Sequence, residues 1–396
     1  MKIDVAYYDS RHEDLIAEWP SRIRKRAEAL VDSGLSISAE HLALFSVYKD
    51  QMDRPGFRSL SELQPKIKNR FDKLSEYYDF SHTIKALFPE VPVEEKERLG
   101  VAVSLIVASE IFSIGEADWT KIPETTSQKT LDYRPVAVSG GKFVEVEAKG
   151  SVVEEDVTRK TSSVSQMKAH IIEKKQETEA SVSHDKHLLL GTILAMPTEP
   201  RQRACCWLLD PPTESTRQDP ARHQLLARMT WFLRTLRLIS GSQVVMALAE
   251  RLQVLRNLAN PAELSNVPLV GTGLRRLQPR LTRRMTTFRV NNYTFIARAV
   301  GMGKQILVLG LPFQLVRLLV RMDHEDIQEW EFFESGDYSL EVESVLSLQD
   351  TQRLGLPRSL IHREEDERAV RVPSKGNIFV GRTGTAIGIM TPIQKG

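Results

Sequence analysis

The chain has 396 residues, of which 41% are hydrophobic and 27% are charged, and its formal net charge is +2. This length predicts two or three domains. The hydrophobic content is that of a globular protein with a sizeable core, which excludes a disordered or fibrous chain.

The sequence also indicates in which cellular compartment we expect the protein to work. No apolar run reaches the roughly 18 residues that span a bilayer, and residues 1–8 include Asp4 and lack the apolar centre of a signal peptide. The two cysteines, Cys205 and Cys206, are adjacent, which argues against a disulfide framework or a zinc site. We therefore expect a soluble, cytoplasmic protein with no membrane contact.

The N-terminal region, residues 1–95, is highly charged and is predicted to be mostly helical. Residues 23–31 and 60–80 place apolar side chains at helical spacing. Pro89 and Pro92 mark the approach to the next region. We expect a recognition or dimerisation module, and nothing in its sequence indicates a ligand.

An almost wholly apolar helix is predicted over residues 101–114, and it contains one carboxylate, Glu110. A carboxylate in such a helix is costly to bury unless it is paired or bound to a metal. Two interpretations stay open. Either Glu110 belongs to a site, or it lies at the edge of a narrow exposed stripe formed by Ser109, Ser113 and Glu116.

A β-hairpin is predicted after this helix. Two short β-prone runs flank a Ser-Gly-Gly turn at residues 139–141, which is a hairpin signal. Asp132 lies at the start of the first strand, and Glu147 and Lys149 lie on the second. The hairpin therefore predicts an acid on one strand beside an acid and a lysine on the next.

The second strand, residues 143–150, carries charge on one face only. Because side chains alternate across a strand, Glu145, Glu147 and Lys149 share a face, and the residues between them are apolar. Two carboxylates and an ammonium on one face can assemble a site for a divalent metal. The alternative is an amphipathic strand with a solvated face.

A helix and a strand complete this part of the chain. Residues 161–179 show an apolar stripe at helical spacing, and residues 187–196 form a strongly apolar run. The predicted order is therefore helix, strand, charged strand, helix, strand.

This segment, from about residue 97 to 211, resembles the catalytic core of the PD-(D/E)xK nuclease superfamily. The motif of that superfamily is an acid at a first strand, then acid-x-Lys on the next, with a helical Glu ahead in many members. Asp132 matches the first acid, Glu147 the second, Lys149 the lysine and Glu110 the helical Glu.

The match to the first element is imperfect. Pro does not precede Asp132, and Asp118 is a weaker alternative to it.

The resemblance implies a restriction-endonuclease-like core, in which helices flank a central mixed sheet. It also implies Mg²⁺, with Mn²⁺ as a substitute, held by Asp132, Glu147 and the backbone carbonyl of Ala148. Such a metal lowers the pKa of a bound water and polarises the phosphoryl oxygen. Lys149 then orients the attacking water and offsets developing negative charge. Glu145 is interpreted as an outer or solvated residue.

Three parts are expected along the chain: residues 1–95, the nuclease-like core at 96–215, and an α+β region at 216–396. The proline-containing loop at residues 210–220 marks the later boundary. After it, residues 221–258 are predicted to be helical. Residues 288–295 are predicted to form a hairpin whose aromatic side chains pack into a core.

Charge is segregated in the C-terminal part. Residues 264–322 contain no acid, whereas residues 323–350 contain ten acids and no Lys or Arg. A basic patch of this kind is the footprint of a phosphate-backbone contact. The predicted nucleic-acid contacts are Arg275, Arg276, Arg280, Arg283 and Arg284. The alternative is that an acidic helix folds back on the basic segment, within one chain or across a dimer.

The sequence thus predicts an α/β protein that acts as a metal-dependent DNA endonuclease. The resemblance places it in bacterial restriction or anti-phage defence, as a homodimer or as a subunit of a larger complex with DNA as its partner. The alternative function is a catalytically inactive nucleic-acid-binding or scaffolding subunit of a defence or recombination complex.

Overall fold

A computed structural model describes residues 1–53, 57, 59–121, 133–135, 143–154, 156–158, 162–179, 187–209, 220–240, 248–249, 252–253, 285–321, 323–356, 362–363 and 369–393. The chain divides into two compact units. Unit 1 comprises Met1–Met52 and Arg70–Gln224, and unit 2 comprises Asp53–Asn69 and Leu225–Gly396.

The helices in the first half of the chain are α1 Ser10–Ala17, α2 Ser21–Ser33, α3 Ala39–Asp53, α4 Leu60–Tyr77, α5 Val93–Phe112 and α6 Ser162–Glu179. The strands are β1 Lys2–Tyr7, β2 Leu35–Ser36, β3 Tyr78–Asp79, β4 Lys85–Ala86, β5 Trp119–Lys121, β6 Tyr133–Pro135, β7 Phe143–Val153, β8 His187–Pro197 and β9 Cys205–Leu209. A short 3₁₀ turn, Glu116–Asp118, precedes β5.

Unit 1 is built on a mixed sheet with the strand order β2-β1-β9-β8-β7-β6-β5. Strands β7 and β8 run parallel, as do β1 and β9, and the remaining neighbours are antiparallel. A parallel pair needs a crossover connection, and α6 supplies it between β7 and β8. The predicted helix at residues 161–179 and the predicted strand at residues 187–196 are therefore confirmed.

Helices cover both faces of this sheet. On one face α6 buries Val164 and Ile171 against Ile193 and Ala195 of β8. On the other face α5 lies so close to β7 that a Cβ on Gly150 would be 2.1 Å from the carbonyl oxygen of Lys96. A sheet that is buried on both sides explains why β8 reads as a continuous apolar run.

The second half of the chain contains α7 Pro220–Ile239, α8 Phe313–Arg321, α9 His324–Glu329 and α10 Leu348–Arg353. Its strands are β10 Thr286–Val290, β11 Tyr293–Met302, β12 Gln305–Pro312, β13 Gly336–Ser347, β14 His362–Arg363, β15 Ala369–Val380 and β16 Ala386–Pro392. Helix α7 ends at Ile239, so it is shorter than the helix predicted over residues 221–258, most of whose remainder lies outside the described residues.

Unit 2 contains an antiparallel sheet that nearly closes into a barrel. The strand order is β10-β11-β12-β16-β15-β13, with β14 paired to β15. At the open seam the backbone N–H of Val345 on β13 donates to Oγ1 of Thr286 on β10 at 2.9 Å. The predicted hairpin at residues 288–295 is confirmed, since Phe288 pairs with Phe295 and their rings stack at 5.0 Å inside the core.

The predicted acidic helix is wrong over most of its length. Residues 323–350 contain only the short helix α9 and the start of α10, and strand β13 occupies Gly336–Ser347. Along β13 exposed Glu341 and Glu343 alternate with Val342 and Ser344, which are buried. This two-residue period favours a strand over a helix.

These observations confirm a mixed α/β fold, with one mixed sheet and one antiparallel, nearly closed sheet. In the part of the chain that the structure describes, no helix is both long and apolar enough to cross a bilayer.

Candidate functional site

The acid and the lysine of the charged strand come together on β7. Nζ of Lys149 lies 2.8 Å from Oε1 of Glu147. The two residues are two apart on a strand, so their side chains share the face that points away from α5. The pair joins a carboxylate and an ammonium at hydrogen-bond distance.

The face of β7 that carries Glu147 is not exposed to solvent at this residue. The carboxylate has no exposed surface, whereas 22% of the Lys149 side chain is exposed. A buried carboxylate is tolerated only when a cation or hydrogen-bond donors offset its lost hydration. The ammonium of Lys149 supplies one such group. The side chain of Glu145, expected on the same face, lies outside the described residues.

The second predicted acid, Asp132, lies outside the described residues, but its neighbour in sequence is described. Tyr133, which follows Asp132, pairs with Val146, which precedes Glu147. The strand that begins directly after Asp132 is thus hydrogen-bonded beside the strand that carries Glu147.

Asp118, the alternative first acid, lies in the 3₁₀ turn that precedes β5 and not on a strand of the sheet. Trp119 pairs with Pro135 and Tyr133 pairs with Val146, which places Trp119, the residue after Asp118, about 10 Å along the sheet from the level of Glu147 at the usual rise per residue. The carboxylate of Asp118 is buried and accepts from the backbone N–H of Gly115 at 3.1 Å. Asp118 and Glu147 are therefore not brought together.

Glu110 is half-buried on α5. The exposed-stripe interpretation is wrong, because Ser109 and Glu116 are both buried, and Ser109 accepts a hydrogen bond from Nε1 of Trp119 at 2.9 Å. Helix α5 covers the face of β7 opposite to Glu147, and Glu110 lies about 9 Å along the helix beyond Ser104. Glu110 therefore belongs to the helix on the other side of β7 from the Glu147 and Lys149 side chains.

Ala148, expected to contribute a carbonyl oxygen to a metal, is fully buried with its side chain toward α5. Two hydroxyl groups that the sequence analysis did not single out lie next to Ala148, on the face of β7 that packs against α5. Oγ1 of Thr192 donates to Oγ of Ser104 at 2.5 Å and is 3.3 Å from the backbone oxygen of Glu147. The sequence does contain a signal for this contact, because Ser104 is a hydroxyl residue in an apolar helix and Thr192 is one in an apolar strand.

Unit 1 also contains a small pocket, not indicated by the sequence, that has charged side chains in its lining. Its lining residues are Ser46, Arg70, Leu74, Glu95, Arg98 and Leu99. The carboxylate of Glu95 is buried, and it lies 3.8 Å from Nζ of Lys73 and 3.9 Å from Nη1 of Arg98. Burial, and then the charge of Glu95, raise the pKa of the neighbouring Tyr78 hydroxyl.

The five arginines predicted to contact DNA, at positions 275, 276, 280, 283 and 284, lie outside the described residues. In the described remainder of the two charged segments, no ion pair joins the basic segment to the acidic one. Instead, acids of the second segment pair with later residues, Glu343 with Arg371 at 3.4 Å and Asp350 with Arg353 at 3.9 Å.

Within the described residues, no cluster of three or more His, Cys, Asp or Glu side chains is arranged to hold a metal ion. The donor chemistry at β7 nevertheless suits Mg²⁺, which takes oxygen ligands and is often held by one or two carboxylates. Glu147 carries one such carboxylate. No family model, no curated protein and no solved structure matches this chain.

Proposed function

We propose that this protein is a metal-dependent DNA endonuclease with a restriction-endonuclease-like core in unit 1. The observation that carries the proposal is the Glu147–Lys149 pair on β7, in a sheet where Tyr133 is hydrogen-bonded beside Val146. An acid-x-Lys sequence with both side chains on one face is the arrangement that the resemblance requires.

The order of elements supports the same proposal. Helix α5 is followed by the antiparallel strands β5, β6 and β7, then by α6, and then by β8 parallel to β7. The sheet is mixed and has a helix on each face. Apart from the additional strand β5, this is the helix, strand, charged strand, helix, strand order expected for a nuclease core.

In the proposed reaction the residues have distinct tasks. Glu147 and Asp132, with the carbonyl oxygen of Ala148, would hold Mg²⁺ or Mn²⁺. The bound metal supplies a water of lowered pKa and a positive charge for the phosphate. Lys149 holds the attacking water by hydrogen bonding and offsets negative charge that develops on the phosphate. When DNA is bound, the Lys149 ammonium would therefore exchange part of its contact with Glu147 for a contact with substrate.

A partner role for DNA rests on the arginines at positions 275–284, which form a cationic run with no acid near them in sequence. The assignment to restriction or anti-phage defence, and to a homodimer or a larger complex, rests on the resemblance alone.

One observation favours the alternative, a nucleic-acid-binding or scaffolding subunit without activity. Glu147 has no exposed surface and is already paired with Lys149. An inactive relative that kept the fold would retain such a pair for stability.

The test is cleavage of plasmid DNA by the purified full chain with MgCl₂, with MnCl₂ and with EDTA. We expect cleavage with either metal and none with EDTA. Glu147→Gln, Lys149→Met and Asp132→Asn should each lower the rate at least about 100-fold.

Glu341→Gln and Lys375→Met are matched controls, since these residues are an exposed cross-strand acid–lysine pair of β13 and β15. They should leave the cleavage rate unchanged. DNA binding without cleavage in either metal would favour the inactive subunit. Cleavage that survives Glu147→Gln would refute the assigned site.

A further inference from the structure

Helix α5 packs against β7 so closely that the two backbones are in contact. A Cβ on Gly100 would lie 2.6 Å from the backbone nitrogen of Gly150, and a Cβ on Gly150 would lie 2.1 Å from the carbonyl oxygen of Lys96. Neither position can carry a side chain unless the helix moves. The two glycines therefore allow α5 to reach the main chain directly after Lys149.

One helical turn after Gly100, α5 contacts the sheet through a pair of hydroxyl groups. Ser104 of α5 and Thr192 of β8 are both fully buried, and Oγ1 of Thr192 donates to Oγ of Ser104 at 2.5 Å. Thr192 is the strand partner of Ala148 and shares its face. Its hydroxyl consequently lies under β7, on the opposite side from the Glu147 carboxylate.

The same hydroxyl reaches the main chain of Glu147. Oγ1 of Thr192 is 3.3 Å from the backbone oxygen of Glu147. A hydroxyl carries a single proton and accepts two hydrogen bonds. Because Thr192 is the donor in both contacts, its single proton is shared between Oγ of Ser104 and the backbone oxygen of Glu147. The pair can thus hold the peptide group that joins Glu147 to Ala148.

We propose that Thr192 and Ser104 are positioning residues for Glu147, acting through the Glu147–Ala148 peptide group. This peptide group sets the direction of the Glu147 side chain and leads into Ala148, whose carbonyl is the other ligand that we propose on this strand. The catalytic consequence rests on the proposed function, because catalysis depends on geometry at the scale of an ångström. The positioning itself does not rest on it.

Four variants test the proposal. Thr192→Val removes the hydroxyl at nearly constant size, Thr192→Ser retains it, and Ser104→Ala removes its partner. Ser109→Ala is the matched control, because Ser109 is a buried hydroxyl on the same helix that bonds to Trp119 and not to β7.

Two readouts are needed, both after thermal unfolding has shown that each variant folds. The first is the single-turnover rate of DNA cleavage with Mg²⁺, measured together with the Kd for DNA. The second is the ¹³C carbonyl shift of Glu147 without metal, in protein labelled with [¹³C-carbonyl]Glu and [¹⁵N]Ala. This labelling selects the four Glu–Ala peptide groups of the chain, and the signal of Glu147 is the one that Glu147→Gln removes.

We expect Thr192→Val to lower the single-turnover rate about tenfold at unchanged Kd and to move the Glu147 carbonyl shift. Ser104→Ala should act in the same direction, Thr192→Ser should retain both values, and Ser109→Ala should lower stability only. The proposal is overturned if Thr192→Val changes neither readout, or if Ser109→Ala changes them as much. If the parent protein does not cleave DNA, the proposed function fails and the carbonyl shift alone decides the positioning role.

Discussion

Oε1 of Glu147 and Nζ of Lys149 lie 2.8 Å apart on the face of β7 that points away from α5, and the carboxylate has no exposed surface. In water such a pair contributes little, because both charges are well solvated and screened. Here the carboxylate has lost its hydration, so the ammonium beside it offsets part of that cost.

The first prediction concerns the stability of this pair without metal. Lys149→Met should lower the free energy of unfolding by about 1–3 kcal/mol, since it leaves the buried carboxylate without the ammonium at 2.8 Å. Glu147→Gln should cost less, and the double variant should be more stable than Lys149→Met alone. Urea unfolding at pH 7 measures all three values. A near-zero effect of Lys149→Met, equal to that of the exposed Lys375→Met, would show that the pair contributes nothing to stability.

The second prediction concerns the contact between α5 and β7. Gly150→Ala should destabilise the protein by about 1–3 kcal/mol or more, because its Cβ would lie 2.1 Å from a backbone oxygen and the backbone cannot rotate away like a flexible side chain. Gly100→Ala should act similarly despite the higher helix propensity of Ala. Glu97→Ala, on the exposed side of the same helix, should be nearly neutral. Thermal unfolding compares the three, and equal melting temperatures would contradict the close approach.

The third prediction is an acid-dependent loss of stability from Asp9. Burial by itself raises the pKa of Asp9, but hydrogen bonds from Nζ of Lys168 at 2.9 Å and from the backbone N–H of His12 outweigh it, so the net pKa is lowered. Because the pKa of Asp9 is lower in the folded protein than in the unfolded chain, Asp9 contributes its full stabilisation at pH values above the unfolded pKa. This stabilisation is lost as the pH falls through the folded pKa.

Asp9→Asn should therefore lower stability at pH 6–7, and the difference from the parent should shrink as the pH falls below about 4. Urea unfolding at several pH values gives this curve. Asp14→Asn, on the exposed face of α1, is the control for loss of one charge. A difference for Asp9→Asn that is constant between pH 3 and pH 7 would contradict the prediction.

The fourth prediction concerns thiol reactivity. Cys205 and Cys206 are free and buried in β9. Burial and then the charge of Asp4 raise the pKa of Cys205 to about 12, and burial likewise raises the pKa of Cys206. Because the thiolate is the reactive form, a thiol reagent at pH 8 should label neither cysteine in the folded protein and both in 6 M guanidinium chloride. Rapid labelling of folded protein would contradict the burial of β9.

The fifth prediction addresses the arginines outside the described residues. If Arg283 and Arg284 contact phosphates, the double Ala variant should weaken DNA binding equally across sequences. It should also flatten the plot of log K against log salt by roughly one unit per lost contact. Filter binding at four salt concentrations measures the slope. Arg353→Ala, which removes a partner of Asp350, should leave it unchanged. A lower stability or a changed oligomeric state with an unaltered slope would indicate that these arginines neutralise acids of the protein.

Local sequence patterns determined several elements of this protein. The apolar stripe of residues 161–179 predicted α6, and the alternation at residues 143–150 predicted that Glu147 and Lys149 share a face of β7. Alternation is a property of the strand backbone and holds wherever the strand is placed. For this reason the shared face of these two side chains was predictable without knowing the fold.

Only the tertiary structure decided what surrounds those residues. The sequence left open a solvated face at Glu147, an exposed stripe beside Glu110 and an acidic helix at residues 323–350. Burial of Glu147 depends on the packing of the whole sheet, and the hydroxyl contact of Ser104 with Thr192 joins residues 88 positions apart in the chain. Such contacts form because two distant backbones approach closely, here through Gly100 and Gly150, and no local period in the sequence encodes which distant segments will meet.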